Sequence, residues 1–324
     1  MALGIDTLNA YLKIKPITDG FINQVITQSP FLNMMKKGKA FVTKAGGDYI
    51  KVSLNYAIQA GATSFQAWDG STAIDLPTDY AFATEGKYKW GYWVAKDLIT
   101  YKQWMEQEKT EDSIADFAKN RLDNMAMNIS REMETQLFTA YDGSTTSFGI
   151  PDIANTGNPS AYATGLGDIT VADGSWWAAH SETYASASTL VKQMYHMLNH
   201  LSVYNSTPTL IVTTQAIFEH FADEAFDKSG YLVHDEIPLK LGFKAGASFN
   251  GIPVVWSDQC TSQTMYFLNT DYLKLVIHPD ANFKSTGWQQ VSTTNLNYLA
   301  LTTLSYNLVC SNRAAQGLLI TIND

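Results

Sequence analysis

The sequence predicts an α+β fold, and three observations predict it. Residues 49 to 56 alternate strictly, with Ile50, Val52, Leu54 and Tyr56 on one side and Lys51, Ser53 and Asn55 on the other, the period of a half-buried strand. Ile114, Ala118, Leu122, Met125, Ile129, Met133 and Leu137 recur every three or four residues, an amphipathic helical stripe. The segment 249–279, FNGIPVVWSDQCTSQTMYFLNTDYLKLVIHP, holds three short apolar runs parted by two polar turns. With 324 residues and 45% hydrophobic composition, the chain can bury one large core or form two or three lobes.

The elements follow in order. Residues 1–39 carry a weak helical pattern around Phe21, Val25 and Ile26, interrupted at Ser29-Pro30 and followed by Lys36, Lys37 and Lys39, which reads as an arm. The strand at 49–56 has a matching partner in Tyr88, Trp90, Tyr92 and Val94, which alternate with Lys87, Lys89, Gly91 and Trp93. Between them, Gln59 to Asp79 form a connection with Phe65, Trp68 and Pro77 that is too long for an ordinary hairpin loop. A protruding two-stranded arm is marginal by itself, so it is expected to gain stability by lying on another subunit.

The long helix is expected over about 110–141, with Glu111 and Asp112 favouring the dipole in its first turn and Asp142-Gly143 ending it. Residues 143–188, rich in Gly, Ser, Thr, Asn and Ala, show no clear period. Thr189 to Val203 reads as a helix and Thr209 to Val212 as a buried strand. Thr214 to Phe226 reads as a second helix, with Ile217, Phe221 and Ala225 on one face. The runs Ile252–Trp256, Met265–Leu268 and Leu273–Ile277 are expected as a small meander, with Pro253 at an edge or a strand start. Strand-like segments at 296–308 and 317–322 close the chain around Asn312-Arg313-Ala314-Ala315-Gln316-Gly317.

Charged residues make up 16%, below the roughly 25% of ordinary soluble domains, while there are 17 Tyr, 15 Phe and 8 Trp. That balance suits a surface spent on subunit contacts. The net charge of -9 argues against a protein that grips nucleic-acid phosphates. No Lys or Arg lies between Arg131 and Lys192, a stretch with seven acidic residues that reads first as a solvated acidic face. Cys260 and Cys310 are too few to staple a chain of this size and read as reduced core residues. Asp6 interrupts any signal-peptide core, and polar residues interrupt the uncharged stretch 285–312, so neither secretion nor a membrane span is expected.

Chemistry is sparse. The sequence has no Walker A run, no G-x-G-x-x-G after a strand, no G-x-S-x-G and no H-E-x-x-H. His196 and His200, four apart on a predicted helix, face the same way as a two-histidine metal site needs, but the sequence names no third ligand. His180, His220, His234 and His278 read as helix-surface or turn residues. Glu132 and Glu134 stand two apart on a helix and cannot face one another. Trp68, Trp90 and Trp93 could line a sugar platform, although burial between subunits is their simpler use. No catalytic residue, cofactor or metal is expected.

The segment with Gly251-Ile252-Pro253-Val254, a short polar loop, Met265-Tyr266-Phe267-Leu268-Asn269 and then an apolar strand resembles the end of the A domain in tailed-phage major capsid proteins of the HK97-fold type. The run from Asn312 to Gly317 resembles that family's return to the P domain. The resemblance implies an N-terminal arm at 1–39, an E-loop with flanking strands at 40–97, and a P domain at 98–188 with its spine helix at 110–141. An A domain at 189–277 and a C-terminal return at 278–324 complete it.

The resemblance also implies a structural protein of the virion, assembled in the host cytoplasm from pentamers and hexamers into an icosahedral head around double-stranded DNA. Contact residues toward neighbours are expected at Phe21, Phe31, Phe65, Trp68 and Tyr80. The family's type member welds its shell through an E-loop lysine, and no Lys or Arg lies between Lys51 and Lys87, so no such cross-link is expected. About forty residues before the E-loop imply a separate scaffolding protein, with a portal and optional decoration proteins as further partners and no membrane. An encapsulin-like compartment is the alternative with the same fold; a β-rich carbohydrate-binding protein is the alternative from another class.

Overall fold

The structure, a computed structural model, describes residues 30–55, 83–106, 111–143, 147–159, 162, 164–172, 175–185, 188–202, 206–229, 247–292 and 296–322. Its helices are α1 (Pro30–Lys37), α2 (Tyr101–Glu106), α3 (Glu111–Leu137), α4 (Ile150–Ile153), α5 (Leu190–Leu201) and α6 (Gln215–Ser229). The first strands are β1 (Phe41–Thr43), β2 (Tyr49–Asn55), β3 (Ala83–Lys89), β4 (Gly91–Ile99), β5 (His180–Thr183), β6 (Leu210–Thr213) and β7 (Ala247–Phe249). The remainder are β8 (Ile252–Trp256), β9 (Met265–Leu268), β10 (Leu273–Ile277), β11 (Lys284–Ser285), β12 (Gln289–Gln290), β13 (Tyr298–Cys310) and β14 (Gly317–Ile320).

These strands make two six-stranded sheets and a two-stranded ribbon. In the first sheet the long β13 is the hub, pairing antiparallel with β10, β11, β12 and β4, while β1 adds in parallel to β10. The second sheet runs in the order β5-β14-β9-β6-β8-β7. The ribbon pairs β2 with β3 in antiparallel register, Tyr49 opposite Lys89 and Asn55 opposite Ala83.

Helix α3 lies along the first sheet. Its stripe residues Met125, Ile129, Met133 and Leu137 are buried as their spacing predicts. Asp97 of β4 fixes the helix to the sheet, accepting from Arg121 at 3.0 Å and from the Trp288 indole at 2.9 Å. The helix ends at Leu137 rather than running on to Tyr141, because its last turn tightens: Phe138 N–H is shared between Glu134 and Thr135, and Thr139 N–H turns to Gln136. Gly149 makes the return possible, since a Cβ there would stand 2.0 Å from the Thr139 carbonyl oxygen.

Three sequence expectations change in the fold. Pro30–Lys37, expected as part of an arm, is helical and turns Phe31, Leu32 and Met35 into the core. The run from Tyr88 to Val94 is not one strand. It divides at Trp90, and the half before the break pairs with β2 while the half after it pairs with β13. The inward face switches there, from Tyr88 and Trp90 to Trp93 and Ala95, so Tyr92 and Val94 point outward. Gly91 permits the crossing, for a Cβ would meet the Tyr306 carbonyl oxygen at 2.9 Å and the Ser147 nitrogen at 3.0 Å.

The meander is also replaced. Strand β6 inserts between β8 and β9, running parallel to the first and antiparallel to the second, and β10 leaves for the other sheet. Strands β6 and β9 are buried on both faces, so apolar composition could not say which strand neighbours which. Pro253 stands opposite Ser248 of β7, one residue before the β6 register begins at Val254, where its missing N–H breaks no rung with β6.

Candidate assembly surfaces and side-chain clusters

Of the residues expected to touch neighbours, Phe21, Phe65, Trp68 and Tyr80 lie outside the described residues. Phe31 is corrected by its surroundings. It is 1% exposed, its ring centroid 5.2 Å from that of Phe138, and with Leu32 and Met35 it locks α1 into the chain's own core. Trp90 and Trp93 are likewise spent inside the subunit rather than on a neighbour or a sugar platform. Trp90 is buried against His278 and donates its indole N–H to the Gly47 carbonyl at 2.9 Å, and Trp93 stacks on Tyr306 at 6.1 Å.

The outward face of the first sheet carries what sequence reasoning missed. Along β4, Tyr92 is 67% exposed, Val94 50% and Leu98 46%, while Lys96 between them is exposed as well. Their antiparallel partners Ser305, Thr303 and Leu299 on β13 share that face. Tyr101 and Met105 of α2, the helix that follows β4, are exposed as well. A row of large apolar side chains on a pleated face is the composition of a contact surface, not of a solvated one. The signal in the sequence was the alternation 92, 94, 96, 98, hidden because the same alternation one strand earlier points inward.

The ribbon is anchored at its base. Ile50, Leu54 and Tyr88 are buried, and the Tyr88 hydroxyl donates to the Cys310 carbonyl at 2.8 Å. Burial raises the pKa of that hydroxyl far above its ordinary value. An exposed ion pair, Lys51 with Glu85 at 3.2 Å, crosses the ribbon and adds little. On the inner side, a groove of about 450 Å³ opens between α3 and the β4–β13 pair, lined in part by Trp93, Asp97, Arg121, Met125, Met133 and Tyr306.

Arg313 ties the segment after α4 and the turn at Trp177 to the end of β13. Its side chain is fully buried, and the guanidinium donates to the carbonyls of Ile153 at 2.9 Å, Asp152 at 3.0 Å, Asn155 at 2.6 Å, Gly157 at 2.5 Å and Trp177 at 3.4 Å. Burial lowers its pKa from the usual arginine value, and the neighbouring Cys310, Tyr88 and Asp152 oppose that shift. The Asp152 carboxylate next to it accepts from Tyr141 N–H at 2.8 Å and Gly149 N–H at 3.0 Å. Burial raises the Asp152 pKa, and those two hydrogen bonds act against the rise. Cys260 and Cys310 are free and buried, with burial pushing both thiols up to about 12. These groups are structural: each is closed off from solvent and none is poised as a nucleophile.

The histidines are less scattered in space than in sequence. His196 and His200 sit one turn apart on α5, ring centroids 4.6 Å from each other, and both face Glu182 of β5. The His196 Nδ1 is 2.9 Å from one carboxylate oxygen and the His200 Nε2 is 3.9 Å from the other. His180 lies beside them, its ring 5.5 Å from that of His200. Glu182 precedes His196 by fourteen residues in a stretch without period, so spacing gave it no place in the pair. Elsewhere, Glu224 of α6 accepts from the N–H groups of Leu190 and Val191, capping α5, and His220 stands 3.5 Å from it.

No family model and no curated protein sequence matches the chain. Solved structures do. The Cyanophage A-1(L) capsid asymmetric unit is similar at a TM-score of 0.67 and 14% identity, over 91% of this chain and 93% of that one. The capsid of the native GTA particle is similar at 0.61 and 13%, over 89% and 90%. The holo-SrpI encapsulin complex from Synechococcus elongatus is similar at 0.56 and 8%, over 91% and 88%. The chain has the α+β fold of HK97-type shell proteins.

Proposed function

We propose that the protein is a major capsid protein of a tailed phage, assembling through pentamers and hexamers into an icosahedral head that encloses double-stranded DNA and resides in the virion. One observation carries this reading: the likeness to shell subunits runs over about nine-tenths of both chains, so no separate catalytic or binding domain accounts for the rest. The role is mechanical rather than enzymatic. The exposed apolar residues of β4 and the E-loop residues supply contacts of modest size to several neighbours. Phe21, Phe65, Trp68 and Tyr80 remain our assigned contact residues on the arm and loop, and Phe31 is withdrawn from that set.

We assign the arm to 1–39, the E-loop and its strands to 40–97, the P domain to 98–188, the A domain to 189–277 and the return to 278–324. Strand pairing supports three amendments: β10 belongs with the first sheet, and β5 and β14 with the second. A separate scaffolding protein and a portal complete assembly, with decoration proteins as optional additions. The absence of Lys and Arg between Lys51 and Lys87 supports a shell without the E-loop isopeptide bond. Boiling purified shells in denaturant and separating the chains by size checks this, a single monomer band being expected and a ladder of covalent oligomers refuting it.

The decisive experiment is electron microscopy of the purified recombinant protein together with its sedimentation profile. Closed particles of uniform diameter are expected, and a monomer under every condition tried would refute the proposal. The likeness to an encapsulin supports a second reading, a protein-filled compartment. Nuclease-protected DNA recovered from native particles would support the phage head, and a bound host enzyme without DNA would support the compartment.

A further inference from the structure

We propose that Glu182, His196 and His200 form a binding site for a divalent transition metal, with Zn2+ as its occupant. The three side chains come from two elements that the fold holds in register. Helix α5 places His196 and His200 on one face, where residues one turn apart are neighbours. Strand β5 is fixed by its parallel pairing with β14, with Glu182 opposite the fully buried Leu319. The carboxylate therefore meets both imidazoles from a rigid position rather than from a mobile loop.

The spacing suits an ion. One donor atom from each residue can be chosen so that all three lie within 4.8 Å of one another. Ligand bonds of about 2.0–2.2 Å at tetrahedral angles put ligand atoms about 3.3–3.5 Å apart. His196 Nδ1 stands 2.9 Å from one Glu182 oxygen and His200 Nε2 3.9 Å from the other, so side-chain rotation that turns one oxygen toward both nitrogens completes the set. Two nitrogens and one oxygen match the catalogue of zinc, cobalt and nickel sites and not the all-oxygen shells of calcium or magnesium. The side chains are 63%, 47% and 27% exposed for His196, His200 and Glu182, which leaves an entry path and room for water as a fourth ligand.

An ordinary pair of surface ion contacts is the competing account. It explains one histidine beside a carboxylate, but a second imidazole placed on the other oxygen of the same carboxylate adds little to stability by charge pairing alone. A bound ion would bridge α5 to β5 and stabilise the folded state in proportion to the free metal concentration. The site is independent of the capsid reading, and its test does not require particles to form.

The test is titration of the full-length, tag-free chain, first stripped with a chelator, with Zn2+ by calorimetry and with Co2+ by visible absorption. One ion per chain and the visible bands of a tetrahedral cobalt centre are expected, together with a rise in melting temperature on Zn2+ addition. His196→Ala, His200→Ala and Glu182→Gln alter exposed or half-buried positions, so each is expected to fold, and each should weaken Zn2+ binding at least about tenfold and abolish the thermal shift. No saturable binding to the wild-type chain, or binding that all three variants retain unchanged, would overturn the proposal.

Discussion

Replacing Arg313 with methionine is expected to be the most damaging single change at a position remote from any contact surface. Methionine keeps the length and the apolar stem but removes every donor, leaving the carbonyls of Asp152, Ile153, Asn155, Gly157 and Trp177 without the guanidinium. Four of the five contacts are 3.0 Å or shorter. Hydrogen bonds from a charged donor contribute about 1.5–3 kcal/mol each, so four would come to about 6–12 kcal/mol if nothing opposed them. Desolvation of the fully buried guanidinium offsets several kcal/mol of this, which leaves a net loss of about 3–5 kcal/mol.

At roughly 2 °C per kcal/mol for a chain of this size, the unassembled subunit should melt at least about 6 °C lower. Differential scanning calorimetry at fixed protein concentration reads it directly. Arg313→Lys retains the charge with three donors in place of a planar fork, and should fall between the two. A methionine variant that melts within about 2 °C of the wild type would show that the carbonyl cage is not what holds these segments.

Val94→Glu combined with Leu98→Glu places two charges on the outward face of β4, where surface substitutions shift subunit stability by only about 0.5 kcal/mol each. Shell formation should be lost in electron micrographs while the subunit's melting temperature holds, and normal particles from this double variant would remove the face from the contact set. At Asp152 the folded pKa is raised, so the folded chain keeps the proton to higher pH than the unfolded chain does. Its contribution therefore favours folding at low pH and is lost as pH rises through the folded value. Asp152→Asn keeps an acceptor for both N–H groups and should remove that pH dependence at a cost below about 1 kcal/mol, whereas Asp152→Ala strands two buried donors and should cost at least about 2 kcal/mol. Denaturant unfolding across pH 4 to 8 separates them, equal losses for the two variants being the result that contradicts this account. Cys260 and Cys310, with thiols pushed up to about 12, should resist an alkylating reagent at neutral pH until the chain is unfolded, and rapid labelling of either in the native state would contradict their burial.

Periodicity by itself determined a good part of this protein. The strand at Tyr49, the three runs at Ile252, Met265 and Leu273, the helix stripe from Met125 to Leu137 and the burial of both cysteines follow from local pattern, because spacing along one element fixes which side chains can share its face. The residue identities at Gly251–Val254 and Met265–Asn269 led to the fold that the solved structures bear out.

Tertiary structure decided everything that depends on which element meets which. The break at Trp90 turns on the close approach of Gly91 to Tyr306 and Ser147, more than fifty residues away in either case, and it alone sets which half of an alternating run faces solvent. The burial of Phe31 depends on Phe138, the role of Arg313 on five carbonyls from another part of the chain, and the meeting of Glu182 with His196 and His200 on how β14 positions β5 beside α5. Phe31 with Phe138 and Arg313 with Asp152 lie far apart in sequence, and no helical or strand period links Glu182 to His196 and His200. Pattern encodes faces, while the partners of those faces come from the non-local pairing of strands that are buried on both sides and so carry no label of their neighbours.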